Sequence, residues 1–248
     1  MMVAHADAGS GRIVLISIPR DLYYKGRKIN SIYETYGAGE LMREMTTITG
    51  LPITKYIIID MYAFADVVNI LGGIDVYLPT DLVDPTYRVR NDGVWGTLYY
   101  SKGMHHLDGI ETLRVARSRH TTSDFARALR QQEILGAIRQ KIESLDVGKV
   151  GKIYDLIRVL MRYVTTNFAP LELLDYYTQY QESPLEERNV LDMSNVLYQS
   201  YSNVYYLGGS RETLAADTDK GEWILLPKHN DWNVIRWYVR KIIEGEGQ

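Results

Sequence analysis

Between Arg114 and Arg130 the chain carries five arginines (Arg114, Arg117, Arg119, Arg127 and Arg130) against a single carboxylate, Asp124. The formal net charge of the whole chain is -3, so this cationic density is local. Guanidinium groups offer permanent charge and forked donors, a combination that suits phosphate better than a lone carboxylate. Arg117 and Arg119 stand two apart in a stretch too polar and too poor in β-formers to continue a helix. If that stretch is extended, both side chains project to the same side. On the helix predicted to follow, Asp124, Arg127 and Gln131 fall at i, i+3 and i+7 and share a face. Phe125, Ala128, Leu129, Leu135 and Ile138 form its predicted buried side. The polar stripe therefore lies near a helix N-terminus, where free N–H groups and the dipole already favour an anion. Two readings stay open: an anion site, or a structural ion-pair cluster on a solvated face.

A second basic segment is Ile18 to Tyr33, IPRDLYYKGRKINSIY. Pro19 ends a predicted strand and leaves Arg20 and Asp21 at its carboxyl end, the edge where open α/β sheets place ligands. Lys25, Arg27 and Lys28 follow closely. An Arg-Asp pair at a strand end also serves as a loop-fixing ion pair, and the two segments make one site only if they converge in space. His105, His106 and His120 lack metal-ligand spacing and read as loop or surface residues. Gly72-Gly73 has no nucleotide-binding pattern around it and reads as a helix stop. Asp81 and Asp84 flank a proline turn and are too weak a pair for a calcium site. No serine has a nucleophile-elbow setting.

The elements that must position these residues are legible in the periodicity. Arg12 to Pro19 reads as a strand after the turn residues Asp7 to Gly11, with Met1 to His5 as the end of its hairpin partner. Gly39 to Thr49 has helical spacing and Gly50 as its stop. Lys55 to Asp60 reads as a buried strand, Ala63 to Leu71 as a helix and Ile74 to Leu78 as a strand, a βαβ-like unit typical of layered α/β domains. Asp81 to Gly103 reads as a long excursion. Asp108-Gly109 opens a short helix ending near Ala116, and Ser123-Asp124 caps a long one reaching about Ser144. Further helices are expected at Lys149 to Thr165, Leu171 to Gln181 and Trp232 to Ile243. Gln181 to Arg188 is expected as a loop, and Val204 to Leu207 and Trp223 to Leu226 as strands.

Composition narrows the function classes. At 248 residues, with 46% hydrophobic and 24% charged, the chain can bury a core without staples. It has no cysteine, which excludes thiol catalysis, disulfides and zinc-thiolate sites. The acidic balance gives no global field for nucleic acid. No apolar run is long enough to span a membrane, and no signal peptide is visible. Tyrosine outnumbers phenylalanine twenty to three, which supplies flat apolar area with a polar tip, suited to sugars and interfaces as well as to half-exposed packing.

The two basic segments together resemble the LytR-CpsA-Psr family. SIPRDLYYKGRKINSIY resembles its strand-end motif and lysine-isoleucine-asparagine segment. LDGIETLRVARSR followed by SDFARALRQQ resembles its paired-arginine motif and its Asp-Phe-Gly-Arg…Arg-Gln-Gln helix, with Ala126 in place of the family's glycine. FADVVNILGGIDVYL, between them, matches the family's helix, double glycine and strand. The resemblance covers residues 1–145, leaving 146–248 as a helical and short-strand extension packed on the same domain. It implies a three-layer α/β/α sandwich with a central mixed sheet and a cleft for a polyprenyl chain. It also implies a phosphotransferase, with a pyrophosphatase side activity, that moves a polyprenyl-pyrophosphate-linked glycopolymer such as teichoic acid or capsule onto peptidoglycan.

Carried over by motif, Arg20, Lys28, Arg117, Arg119, Arg127 and Gln131 contact the pyrophosphate. Asp124 orients the arginines, Asp21 supports Arg20, and Arg20, Arg117, Arg119 and Asp124 form the catalytic set. The family's magnesium ligands are expected upstream of Met1, with none in these 248 residues. The family's amino-terminal membrane helix is expected there too, placing the domain on the extracellular face of the bacterial cytoplasmic membrane. A non-catalytic binder of polyprenyl phosphate or anionic polymer is the alternative. Nucleic-acid binding is not expected.

Overall fold

The computed structural model describes residues 1–7, 9–91, 94–118, 124–144, 150–202, 204–207, 210–213 and 221–245. The protein is mixed α/β. In chain order its first elements are β1 (Met2–Asp7), β2 (Arg12–Ser17), β3 (Tyr23–Tyr24), β4 (Arg27–Lys28), α1 (Asn30–Thr49), β5 (Ile57–Ile58), α2 (Met61–Ile70) and β6 (Ile74–Leu78). Then follow β7 (Leu82–Asn91), β8 (Val94–Tyr100), β9 (Gly103–Leu107), α3 (Gly109–Arg117), α4 (Asp124–Ser144), α5 (Val150–Leu160), β10 (Thr165–Thr166) and α6 (Pro170–Tyr180). The last are β11 (Leu185–Val190), β12 (Leu197–Tyr201), β13 (Val204–Leu207), β14 (Ser210–Thr213), β15 (Trp223–Pro227) and α7 (Trp232–Ile243). Three strands form one sheet in the order β1-β2-β11, and the other described strands pair two by two. Among the described residues no helix is long and apolar enough to cross a membrane.

The chain forms two compact units that interleave along the sequence. The first comprises Met1–His5, Ile16–Thr54 and Asn189–Gln248, and the second Ala6–Leu15 and Lys55–Arg188. In the first unit β12 pairs antiparallel with β15, and Leu225 at the centre of β15 is 1% exposed. The Leu225 N–H donates to the Asp21 carbonyl at 2.9 Å, and Leu22 bridges Leu225 in parallel. The β3-β4 hairpin turns through Lys25 and Gly26, both at positive φ (50° and 82°), as a two-residue hairpin requires. Helix α1 starts well before the expected Gly39, because a break at Gly37 (φ 78°) joins two helical pieces. It ends at Gly50, whose left-handed φ of 75° gives the expected stop. Helix α7 buries Ile235, Val239 and Ile242 on one face, and Arg236 Nε donates to the Thr47 carbonyl at 2.8 Å.

In the second unit β6 alternates buried and exposed residues, so one face carries Ile74, Val76 and Leu78 into a core shared with Val68, Val115 and Ile134. Its partner β9 runs antiparallel, from Ile74 opposite Leu107 to Leu78 opposite Gly103. Asp60 caps α2 by accepting from the Tyr62 and Ala63 N–H groups. Asp108 and Glu111 form a capping box on α3. A Cβ at Gly109 would lie 2.6 Å from the Ala65 carbonyl carbon, so α2 and α3 approach each other through the missing side chain.

Four expectations are corrected. Lys55 to Asp60 is not a buried strand: only Ile57–Ile58 pairs, with Thr165–Thr166, and Ile57 is 56% exposed. The excursion from Asp81 to Gly103 is an antiparallel pair, β7 with β8, whose register shifts between Asp84 and Arg88. That irregularity is where a strand tolerates Pro85. The expected loop from Gln181 to Arg188 already contains β11, a polar strand that takes its place beside β2. On α4 the buried positions are Arg130, Gln132, Ile134 and Ala137, whereas Leu135 is 39% exposed. Ile138 packs against the core as expected, but two polar residues, Arg130 and Gln132, take inward positions that the apolar spacing does not mark.

Candidate functional site

The second unit assembles the end of α3 and the start of α4. Arg117 is the last residue of α3 and is exposed, so it is helical where an extended stretch was expected. One turn of α4 separates Arg127 from Gln131, and the Gln131 side-chain amide donates to the Ala116 carbonyl at 3.3 Å. That bond ties the polar stripe of α4 to the residue just before Arg117. Arg114 and Arg117 also occupy the last turn of α3, where cations favour the carbonyl end of the dipole. Arg119 lies outside the described residues. Asp124 opens α4, and its side chain lies outside the described set as well.

Behind these residues is a buried polar network that the sequence did not reveal. Ser118 is fully buried, and its hydroxyl donates to Asp84 Oδ2 at 3.0 Å. The Arg130 guanidinium, 7% exposed, donates to the Ser118 carbonyl at 2.6 Å. Asp84 is occupied further by Thr86, whose N–H and hydroxyl lie 3.1 and 2.7 Å from Oδ1. Burial pushes the Arg130 pKa down, with Arg127 acting in the same direction and Glu133 and Asp84 opposing. The network fixes the backbone immediately after Arg117. The one signal in the sequence was Asp84 itself, weighed only as a metal ligand. Asp81 is engaged separately, accepting from the Lys102 N–H at 2.7 Å.

The first unit holds a different cationic group. Asp21 is 6% exposed and receives Arg20 Nε on Oδ2 at 3.2 Å and Lys28 Nζ on Oδ1 at 3.0 Å. Lys28 reaches Glu222 as well, at 3.4 Å. The β3-β4 hairpin brings Lys28 back to the strand end, and the Ile29 N–H donates to the Leu22 carbonyl at 2.9 Å. One nearly buried carboxylate thus holds two cations side by side while Arg20 keeps 45% of its side-chain surface exposed. Such a group offers the partly exposed Arg20 to an incoming anion, while the Asp21 carboxylate offsets the repulsion between the two cations.

The histidines stand elsewhere: His105 Nε2 lies 2.6 Å from the Ser101 carbonyl, His106 Nδ1 lies 2.7 Å from Asp75, and His120 is outside the described residues. Among the described residues no group of three or more His, Asp or Glu side chains is placed to hold an ion.

The model of the LytR_cpsA_psr family matches residues 1–222. The polyisoprenyl-teichoic acid–peptidoglycan teichoic acid transferase TagV of Bacillus subtilis (strain 168) is 30% identical over 222 residues, covering 83% of this chain and 54% of TagV. The similarly named transferase TagU of Bacillus cereus is 25% identical over 199 residues, covering 77% of this chain and 61% of TagU. The chain therefore spans about half the length of TagV. The crystal structure of B. subtilis TagV superposes with a TM-score of 0.72 at 27% identity, over 99% of this chain and 87% of that one. A structure of TagT bound to LIIa-WTA shares the fold, with a TM-score of 0.68 at 18% identity over 100% of this chain and 84% of that one. The chain belongs to the LytR-CpsA-Psr family.

Proposed function

We propose that this protein is a cell-wall glycopolymer transferase that moves a polyprenyl-pyrophosphate-linked polymer onto peptidoglycan at the outer face of the cytoplasmic membrane. The observation that carries the reading is the bond from Gln131 of α4 to the Ala116 carbonyl, beside Arg117 at the end of α3, in a chain related to proteins named as teichoic acid transferases. An acceptor hydroxyl attacks the phosphorus that bears the polymer. A phosphodiester bond forms, the bond to the bridging pyrophosphate oxygen breaks, and polyprenyl phosphate leaves with the electron pair while the hydroxyl proton passes to water. Negative charge grows on the leaving phosphate, and fixed guanidinium groups stabilise it. Arg117, Arg119 and Arg127 take that role. In the first unit, Arg20 and Lys28, both held by Asp21, are a second place where an anion meets fixed cations. Gln131 donates to the pyrophosphate, and Asp124 orients the arginines. In the family the metal adds Lewis-acid charge to the phosphate oxygens.

The test is binding of a short-chain polyprenyl pyrophosphate to the parent, Arg117→Ala and Arg127→Ala by calorimetry. Each variant is expected to weaken binding at least tenfold, about the effect of one charge-assisted contact. Parental affinity in both, with unchanged melting temperatures, removes the pyrophosphate assignment. Binding that survives without any transfer to purified peptidoglycan favours the binding module over the enzyme.

A further inference from the structure

Within the first unit a cleft of about 310 Å³ opens between the β3-β4 hairpin and α1. Tyr24, Lys25 and Arg27 line it from the hairpin, and Tyr36, Glu40 and Glu44 from the helix. Its volume is at the small end of the range for ligand sites, roughly 300–1,000 Å³. Two features show that the walls are held in place. Lys25 has a left-handed φ of 50° because it is the first turn residue of the two-residue hairpin, which fixes its place at the edge of the cleft. The break at Gly37 (φ 78°) sets the course of α1 just after Tyr36.

The charges lining the cleft are already matched. Lys25 Nζ contacts both oxygens of the nearly buried Glu44, at 2.9 and 3.1 Å. Arg27 lies over the Tyr36 ring at 4.6 Å, and Glu40 pairs with Arg43. A phosphate entering here would meet Glu40 and Glu44, and an ammonium would meet Lys25 and Arg27, so either ion faces like charge in the cleft. A polyhydroxyl ligand does not, because its O–H groups donate to carboxylates and accept from the cations at once. Arg27 covers one face of the Tyr36 ring, and the ring, still 53% exposed, offers its remaining surface as the apolar platform against which the C–H face of a sugar ring packs.

We propose that this cleft is a subsite for a neutral saccharide of about two pyranose rings, separate from the cationic clusters and independent of the pyrophosphate assignment. The test is a ¹H–¹⁵N NMR titration of the whole chain with triacetylchitotriose and with maltotriose. Saturable shifts centred on the hairpin and α1 are expected with at least one sugar, with a dissociation constant of about 1 mM, and the pair of sugars shows whether the acetamido group is read. Tyr36→Ala and Glu40→Gln are expected to weaken binding about tenfold, while Tyr36→Phe, which keeps the ring, binds like the parent. Arg117→Ala leaves sugar binding unchanged even where it abolishes pyrophosphate binding, so the two assignments fail separately. The idea is overturned if neither sugar shifts the spectrum at about 10 mM, if Tyr36→Ala and Glu40→Gln bind like the parent, or if inorganic pyrophosphate displaces the sugar.

Discussion

Arg130 shows how a residue chosen for charge is used for position. Its guanidinium is nearly buried and donates to the carbonyl of Ser118, whose hydroxyl is held by Asp84. Removing it leaves a buried carbonyl without that donor, and the cost of such an orphan is roughly 1–3 kcal/mol. Arg130→Met, which fills much of the same space, is therefore expected to lower stability by about 2 kcal/mol in urea unfolding. A change below about 0.5 kcal/mol would show that the network carries no stabilisation. The sequence ranks Arg130 with the other arginines because residue type and helical spacing report charge and face, whereas burial depends on what packs opposite. The same limit explains Lys28. Its motif was legible, but its bond to Asp21 exists only because the β3-β4 hairpin folds it back onto the strand end.

Helices and turns were the most legible elements, because their stop and start signals are local. Gly50 closes α1 and Asp108 opens α3 as the residue types imply. Strand status was less legible, since pairing partners lie far away in the chain: Ile57-Ile58 pairs with Thr165-Thr166, and Leu185–Val190 takes its place beside β2. Gly109 was read as a helix opener, yet its packing role is larger, as any Cβ would collide with the Ala65 backbone. Backbone cannot swing aside like a side-chain tip, so Gly109→Ala is expected to cost about 3 kcal/mol through displacement of α3 from α2. A melting temperature within about 1 °C of the parent would refute this. The start of α6 gives a pH-dependent counterpart. The Glu172 carboxyl is held below its ordinary pKa first by Lys55 Nζ, 2.7 Å away, and then by the Ala169 N–H. A depressed carboxylate adds stability above its unfolded pKa of about 4.3 and loses it as pH falls through the folded value. The melting-temperature gap between the parent and Glu172→Gln is thus expected to be constant above about pH 5 and to shrink below about pH 4. An equal gap at acidic and neutral pH would show that the ion pair does not titrate with folding.

At the scale of the whole chain, the resembling motifs end at residue 145, and contacts group the chain into two units that interleave along the sequence. No sequence pattern marks such interleaving, because it depends on which late strand returns to an early one. The family match ends at residue 222, but the first unit continues beyond it through β15 and α7. Those two elements contribute Ile224, Leu225, Ile235 and Val239, each 1% exposed or less, together with Ile242. Burying one such side chain stabilises by roughly 1.5–3 kcal/mol, so five together reach about 10 kcal/mol, the size of a typical domain's entire stability. Strand β15 also provides the partners of β12 and of the Asp21 carbonyl, and Asp21 is the residue that sets Arg20 and Lys28. A chain cut after residue 222 is therefore expected to lose the cooperative unfolding of the first unit and any pyrophosphate affinity that Arg20 and Lys28 provide. Circular dichroism during urea titration, with ligand calorimetry on the same sample, checks both. If the shortened chain keeps the parental midpoint and slope, β15 and α7 are appendages, and the strand-end cationic group is organised by the earlier segments alone.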